Sequence, residues 1–324
     1  MKKSFSKLNL KTLLAIFAST ISIITTSILA GAFFDASENQ SFTKTLSQQE
    51  TPDTVPQKPK LFSFVAIGDS EKYKGPDGYD TDVLSVFAKA RELHPDLIFL
   101  TGDIITASTE SLQENFRRIR NIKNVLNSYF LPIPYYITFG YHDLECGLSC
   151  ANQWSQSFFG KPLSETKLYH SFDYENTHFV ILSNDYPLRK NIEKEQLNWL
   201  EKDLSENTKQ NTIIFMHVPP VTFFKASAND CHDMSCSEPT RTQLVSILEK
   251  HSVDLVISGH EHLFDHKIVN GINYVLSGNA TGSKPRYKNT LSGENFIQII
   301  VSGQSITLRA LKNNGDLIRS IKIK

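Results

Sequence analysis

Charge bias is the first thing this sequence lacks. Its 324 residues carry 34 lysines and arginines against 34 aspartates and glutamates. No basic excess therefore points to nucleic acid, and no acidic tail points to a solvating segment. The expected partner is small. An internal repeat and a coiled-coil heptad are both absent, so the chain is read as a globular protein rather than an array or a rod. A composition of 40% hydrophobic and 21% charged residues suffices for one large core or two modest ones.

A local absence is as informative. From Leu13 to Phe34 there is no charged residue, and Lys2, Lys3, Lys7 and Lys11 precede that run. This is the pattern of an export segment. Ala30-Gly31-Ala32 offers the small residues a signal peptidase prefers, while the length of the run also fits an uncleaved anchor. Residues 1–32 are thus expected to be a signal peptide or membrane anchor, residues 33–60 a flexible linker rich in Ser, Thr, Gln and Pro, and residues 61–324 the folded domain. The expected location is the periplasm, the extracellular space or the outer face of a membrane, with membrane contact only through an uncleaved anchor. Removing residues 1–32 takes four lysines and no acids, leaving 30 basic against 34 acidic residues and a net charge of −4.

Cysteine is scarce, with four residues in two pairs: Cys146 and Cys150, then Cys231 and Cys236. In an oxidising compartment disulfides are the default, and three pairings are possible. A structural zinc site is the competing account, but C-x3-C and C-x4-C separated by about 80 residues is not a usual zinc spacing.

From Leu61 onward short apolar runs alternate with helical patterns. Strands are expected at Leu61 to Ile67, Leu97 to Leu100, Tyr135 to Thr138, His178 to Ser183, Thr212 to Phe215 and Leu255 to Ser258. Helices are expected on the faces marked by Val83, Val86, Phe87, Ala90 and Leu93, by Leu112 to Tyr129, by Leu197, Leu200 and Leu204, and by Thr240 to His251. The tail from Ile272 reads as strands with turns at Gly278, Gly303 and Asn314-Gly315. An α/β layered domain follows.

Most strand runs end in a chemically loaded tip: Gly68-Asp69, Gly102-Asp103, Gly140-Tyr141-His142-Asp143, His217 and Gly259-His260-Glu261-His262. Taken singly, each Asp is an ordinary cap or turn residue. Together they belong at one rim, because ligand sites of open α/β sheets lie beyond the carboxyl ends of the strands. Carboxylates mixed with imidazoles suit first-row divalent metals better than calcium or magnesium. Other histidines are expected to be structural, namely His94, His170, His178 and His251. His266 follows His262 by four residues, but the run lacks the H-E-x-x-H order of a zinc protease and is expected to precede a strand. His232 sits in an insertion after His217 that is a candidate to cover the site.

In this order the motifs GD, GD, GxHD, a strand-end His and GHxH resemble the calcineurin-like metallophosphoesterase family, with its purple acid phosphatase-like branch as one candidate. Tyr169 to Tyr174, His178 to Leu182 and Glu195 to Leu200 resemble segments of the same family. The resemblance implies two mixed β-sheets layered between helices and two divalent transition metal ions, Fe, Mn or Zn. Asp69 and His262 would hold the first ion, His217 and His260 the second, and Asp103 would bridge them. His142 would be the proton donor and Asp143 would orient it. The implied activity is hydrolysis of a phosphate mono- or diester in a small phosphorylated substrate by an exported monomer, with hydroxide generated between two ions about 3.5 to 4 Å apart. The alternative is an exported, non-catalytic or weakly active phospho-ligand-binding protein on the same fold.

Three positions depart from the family pattern. Glu71 stands where a His is frequent, Tyr141 where an Asn donates to the second metal, and Thr106 where purple acid phosphatases carry a tyrosine. The second ion is therefore expected to keep fewer protein ligands and an extra water.

Overall fold

The computed structural model describes residues 60–71, 79–107, 111–224, 232–281 and 293–324. The expected export segment, the linker before Lys60 and Cys231 lie outside them. No helix among the described residues is long and apolar enough to cross a membrane.

The strands are, in chain order, β1 (Leu61–Ile67), β2 (Leu97–Leu100), β3 (Tyr135–Ile137), β4 (His170–Tyr174), β5 (Thr177–Ile181), β6 (Asn211–Phe215), β7 (Leu255–Ser258), β8 (Leu263–Val269), β9 (Ile272–Gly278), β10 (Asn295–Ser302), β11 (Ser305–Lys312) and β12 (Leu317–Lys322). Five helices accompany them: α1 (Thr81–Glu92), α2 (Leu112–Phe130), α3 (Leu148–Phe159), α4 (Lys194–Glu206) and α5 (Thr240–Lys250).

Two six-stranded sheets result, ordered β12-β11-β10-β1-β2-β3 and β4-β5-β6-β7-β9-β8. Both are mixed. β1, β2 and β3 run parallel, as do β5, β6, β7 and β9, and antiparallel strands complete each sheet.

Side-chain alternation with period two builds the layers. Phe62, Phe64 and Ala66 of β1 and Leu97 and Phe99 of β2 enter a core they share with Phe179, Ile213, Phe215, Leu255 and Ile257 of the second sheet. Their sequence neighbours Val65, Ile67, Ile98 and Leu100 face the other way, into a core with α1, α2 and α3. Ile214 and Val256 likewise join α4 and α5 in a third core. Because both faces of these strands are buried, each reads as an unbroken apolar run. The Phe99 and Phe215 rings stack across the sheets with centroids 3.9 Å apart and planes 7° from parallel.

Helix starts follow the chemistry of capping. The Ser111 side chain accepts from the Glu114 N–H at 3.2 Å, and Asp80 accepts from the N–H of Asp82. Three elements were not expected. In α3 the buried Cys150, Ala151 and Ser155 are small and only Trp154 is large, so the helical period is faint. Strand β4 is half-buried and mixed in composition. β8 contains His266, which was expected to precede a strand, and His266 Nε2 pairs with Asn273 Oδ1 at 2.9 Å. Two of the histidines expected to be structural have carboxylate partners: His178 lies between Asp173 at 2.7 Å and Asp203 at 2.9 Å, and His251 meets Glu201 at 3.2 Å.

Truncating the ring between the sheets, Phe99→Ala, is expected to cost about 3–5 kcal/mol of unfolding free energy, because the stacked Phe215 cannot fill the void. Denaturant titration of the purified protein measures it.

Candidate metal centre

The parallel strands of both sheets deliver their carboxyl ends to one rim, where the two sheets are bonded to each other. Thr101 Oγ1 and Ser277 Oγ lie 2.6 Å apart, and Ala280 N–H donates to the Gly68 carbonyl at 3.0 Å. The backbone tightens here. Asp69, Asp103, His260 and His262 all have left-handed φ values of 48°, 48°, 74° and 53°, a conformation that costs non-glycine residues and gathers at functional sites. Gly140 leaves room for the turn: a methyl there would collide with Asp103 Oδ1 and the His217 ring.

Five strand-tip residues from the sequence meet at this point. Asp69 is fully buried; its Oδ1 accepts from the His260 N–H at 2.9 Å and lies 3.7 Å from His262 Nε2. Asp103 Oδ1 accepts from the His142 N–H at 2.9 Å, while its Oδ2 lies 3.1 Å from His217 Nε2. His217 Nδ1–H donates to the Thr101 carbonyl at 2.8 Å, which directs Nε2 inward. His260 Nε2–H donates to the His232 carbonyl at 2.8 Å, so Nδ1 faces His217 at 3.3 Å.

Two groups of donors emerge, Asp69 with Glu71 and His262, and Asp103 with His217 and His260, the donor atoms of each lying within 4.8 Å of one another. Glu71, counted in the sequence as a departure, brings a carboxylate oxygen 3.6 Å from His262 Nε2. A third group, His232, His260 and Glu261, meets the same criterion, with His232 Nδ1 3.1 Å from Glu261 Oε1 and its ring stacked on His260. The insertion holding His232 therefore does reach the rim.

The electrostatics call for cations. Burial, then the neighbouring Asp103 charge, pushes Glu71 up to about 7. Burial raises Asp69 well above the carboxylate range, against the attraction of His217. Asp103 pays the same burial penalty but is held ionised by His217, which is itself held protonated by Asp103 despite burial. His260 and His262 are pushed down by burial and stay neutral. Asp69 Oδ2 and Glu71 Oε2 are buried with no hydrogen-bond partner among the described residues. Mixed oxygen and nitrogen donors, buried acids in excess and orphaned carboxylate oxygens fit divalent transition metals.

The GxHD tip differs from what the resemblance implied. Asp143 does not orient His142. Its carboxylate accepts from the N–H groups of Ile104 at 2.8 Å, Ile105 at 3.0 Å and Gly140 at 3.0 Å, so it braces the loop that presents Asp103. Burial and the Asp103 charge push it up to about 7 against those three amides. The partner of the His142 ring is Glu145, whose Oε1 lies 2.7 Å from Nδ1. Its position three residues on, within one helical turn, was the available signal. Tyr141 turns its ring against the Arg189 guanidinium, 3.6 Å away. Thr106 is exposed, and its carbonyl accepts from Arg118 at 2.6 Å.

The family model of calcineurin-like phosphoesterases matches residues 62–264. The chain belongs to this family. Similar curated proteins include purple acid phosphatase 21 of Arabidopsis thaliana, 27% identical over 181 residues that cover 52% of this chain and 38% of that protein. A probable glycerophosphodiester phosphodiesterase of Arcobacter nitrofigilis is 25% identical over 182 residues, 52% of this chain and 57% of that one. The chain thus spans less than two thirds of the length of either. Among solved structures, a purple acid phosphatase from yellow lupin seeds superposes with a TM-score of 0.65 at 17% identity, covering 82% of this chain and 54% of that one. A dimetal phosphatase from Danio rerio gives 0.59 at 15% identity, covering 81% and 98%. These likenesses agree with the observed fold of two mixed sheets between helices.

A carboxyl whose folded pKa is raised keeps its proton after the unfolded chain has lost its own, so folding becomes less favourable as pH climbs between the two values. For Glu71 that window runs from 4.5 to about 7. Metal-stripped protein of this phosphoesterase fold is expected to lose several degrees of Tm from about pH 5 to about pH 7.5, and Glu71→Gln to lessen the loss, the buried Asp143 contributing over the same window. Added Mn or Zn should restore Tm at the upper pH. Differential scanning calorimetry with and without chelator decides it.

Proposed function

We propose that the chain is an exported, metal-dependent phosphoric ester hydrolase acting on small phosphate mono- or diesters. The observation that carries this reading is the meeting of two carboxylate-histidine groups at one rim, next to a half-exposed histidine held by its own carboxylate. Asp69, Glu71 and His262 would hold one ion and Asp103, His217 and His260 the other. Two such ions would neutralise phosphate oxygens and lower the pKa of water. Fe, Mn and Zn all suit these donors.

The chain's own residues supply the rest. Asp143 and the His142 N–H fix Asp103 from two sides. His142 has 41% of its side chain exposed, so it reaches substrate while its Nδ1 stays on Glu145. Burial works against the charge on His142, but Asp103 and Glu145 outweigh it and raise its pKa. A protonated ring so held presents Nε2–H to a departing alkoxide, the task of a general acid. Glu145 acts as a positioning residue.

Export rests on the charge-free run after four lysines and on cysteine chemistry. Cys146 and Cys150 are joined, and Cys236 is also disulfide-bonded. Disulfides persist in oxidising compartments.

With Mn or Zn added, the protein is expected to turn over an aryl phosphate and to contain two transition metal ions per chain by elemental analysis. His142→Ala should lower kcat by roughly 10²–10⁴, with the larger loss on alkyl phosphates, whose leaving groups most need a proton. Equal rates for wild type, Asp103→Ala and His142→Ala would sink the hydrolase reading in favour of a binding protein. Glu145→Gln should shift the alkaline limb of the kcat profile to lower pH with KM little changed, whereas a purely structural Glu145 would leave that limb in place.

A further inference from the structure

Arg189 has no part in the metal centre, yet the fold places it beside that centre with some care. It sits in the connection between β5 and α4, and that connection is pinned. Asn191 N–H donates to the Asn184 carbonyl at 2.8 Å, Lys190 N–H donates to Asp185 Oδ1 at 2.8 Å, and the Ser237 hydroxyl donates to the Lys190 carbonyl at 2.6 Å. Asp185 is buried. Arg189 is thus an exposed residue on a closed turn of fixed position.

Its guanidinium lies over the Tyr141 ring, 3.6 Å from the centroid. Among the described residues no hydrogen bond or ion pair engages it, and beyond the Tyr141 ring it acts only through its charge on the buried Asp185 carboxylate. A guanidinium spends its face on an aromatic ring and keeps its N–H donors in plane, at its edge. Those donors match the two oxygens of a carboxylate or phosphate. Tyr141, in turn, is edge-on to the His142 ring with centroids 5.5 Å apart. The tyrosine that replaces a metal-donating Asn therefore forms a platform for a cation next to the proton donor.

We propose that Arg189, held on Tyr141, recognises a second anionic group, carboxylate or phosphate, on the leaving-group side of the substrate. The inference rests on the hydrolase reading in one respect: His142 marks the side from which the leaving group departs. A substrate with the phosphoryl group at the metals and its leaving group passing His142 carries its far end toward Tyr141 and the N–H edge of Arg189. Substrates of this class are phosphorylated hydroxy acids and bisphosphorylated small molecules. A neutral leaving group leaves those donors to water and gains nothing from them.

Binding separates this inference from the reading it rests on. Isothermal titration of the metal-loaded full chain would compare three phosphonates that resist hydrolysis: 4-carboxyphenylphosphonate, its neutral 4-carbamoyl isostere, and 1,4-phenylenebisphosphonate. Wild type is expected to bind the carboxylate and the bisphosphonate each about tenfold more tightly than the carbamoyl compound, equivalent to about 1.4 kcal/mol. Preference for one anion alone identifies which of the two the site takes. Arg189→Met should bring both ratios close to one, and Arg189→Lys should keep part of the preference, with charge retained but the planar fork lost. Equal affinities in wild type, an unchanged preference in Arg189→Met, or no measurable binding of any of the three overturns the proposal. Absence of turnover with the preference intact would overturn the hydrolase reading alone.

Discussion

Two backbone amides decide how this site exists at all. The N–H of His260 reaches back 191 residues to Asp69 Oδ1, and the N–H of His142 reaches Asp103 Oδ1, both at 2.9 Å. Each bond ties a strand tip to the loop that carries a histidine: on Asp103 it leaves Oδ2 facing His217, and on Asp69 it fixes the same Oδ1 that faces His262. A charge-assisted bond of this kind also offsets part of the cost of burying the acid. Without these two bonds the tips would still be adjacent, but their donor atoms would not be aimed.

The rest of the molecule bears the expense of that arrangement. Several titratable groups share a buried rim, and four of the donor residues adopt left-handed backbone. Such a region is unfavourable on its own account and persists only where surrounding structure over-determines it. Here the surroundings are the aromatic layer between the sheets, in which Phe64, Phe99, Phe179 and Phe215 contact one another as stacked or edge-on rings. Helices on both outer faces complete the enclosure. Rigidity at the rim is supplied by the cores beneath it, while the chemistry sits on turns that the cores hold still.

The departures from the family pattern prove to be relocations more than losses. Glu71 brings an oxygen donor to the Asp69 and His262 group where a histidine is frequent. Tyr141 leaves the Asp103, His217 and His260 group and binds Arg189 instead. The His142 ring pairs with Glu145, while the Asp143 carboxylate braces three amides. The donor balance of the rim therefore shifts toward Asp69, and its margin acquires a cation.

Much of this was legible in the sequence. Continuous apolar runs ending in Gly-Asp or Gly-His gave the parallel strands and their loaded tips, because strands buried on both faces cannot carry charge except where they end. The order of those tips fixed the family and named the metal candidates Asp69, Asp103, His217, His260 and His262, all of which the fold gathers at one rim. Other features were set only by tertiary contacts. Small and polar residues masked α3, since the face it buries carries one large side chain, Trp154, among Cys150, Ala151 and Ser155 and so has no periodic apolar signature. The partners of His142, Tyr141 and Glu71 depend on where side chains point after the sheets dock. That direction arises from left-handed turns and cross-sheet hydrogen bonds between residues far apart in the chain, which local pattern does not encode.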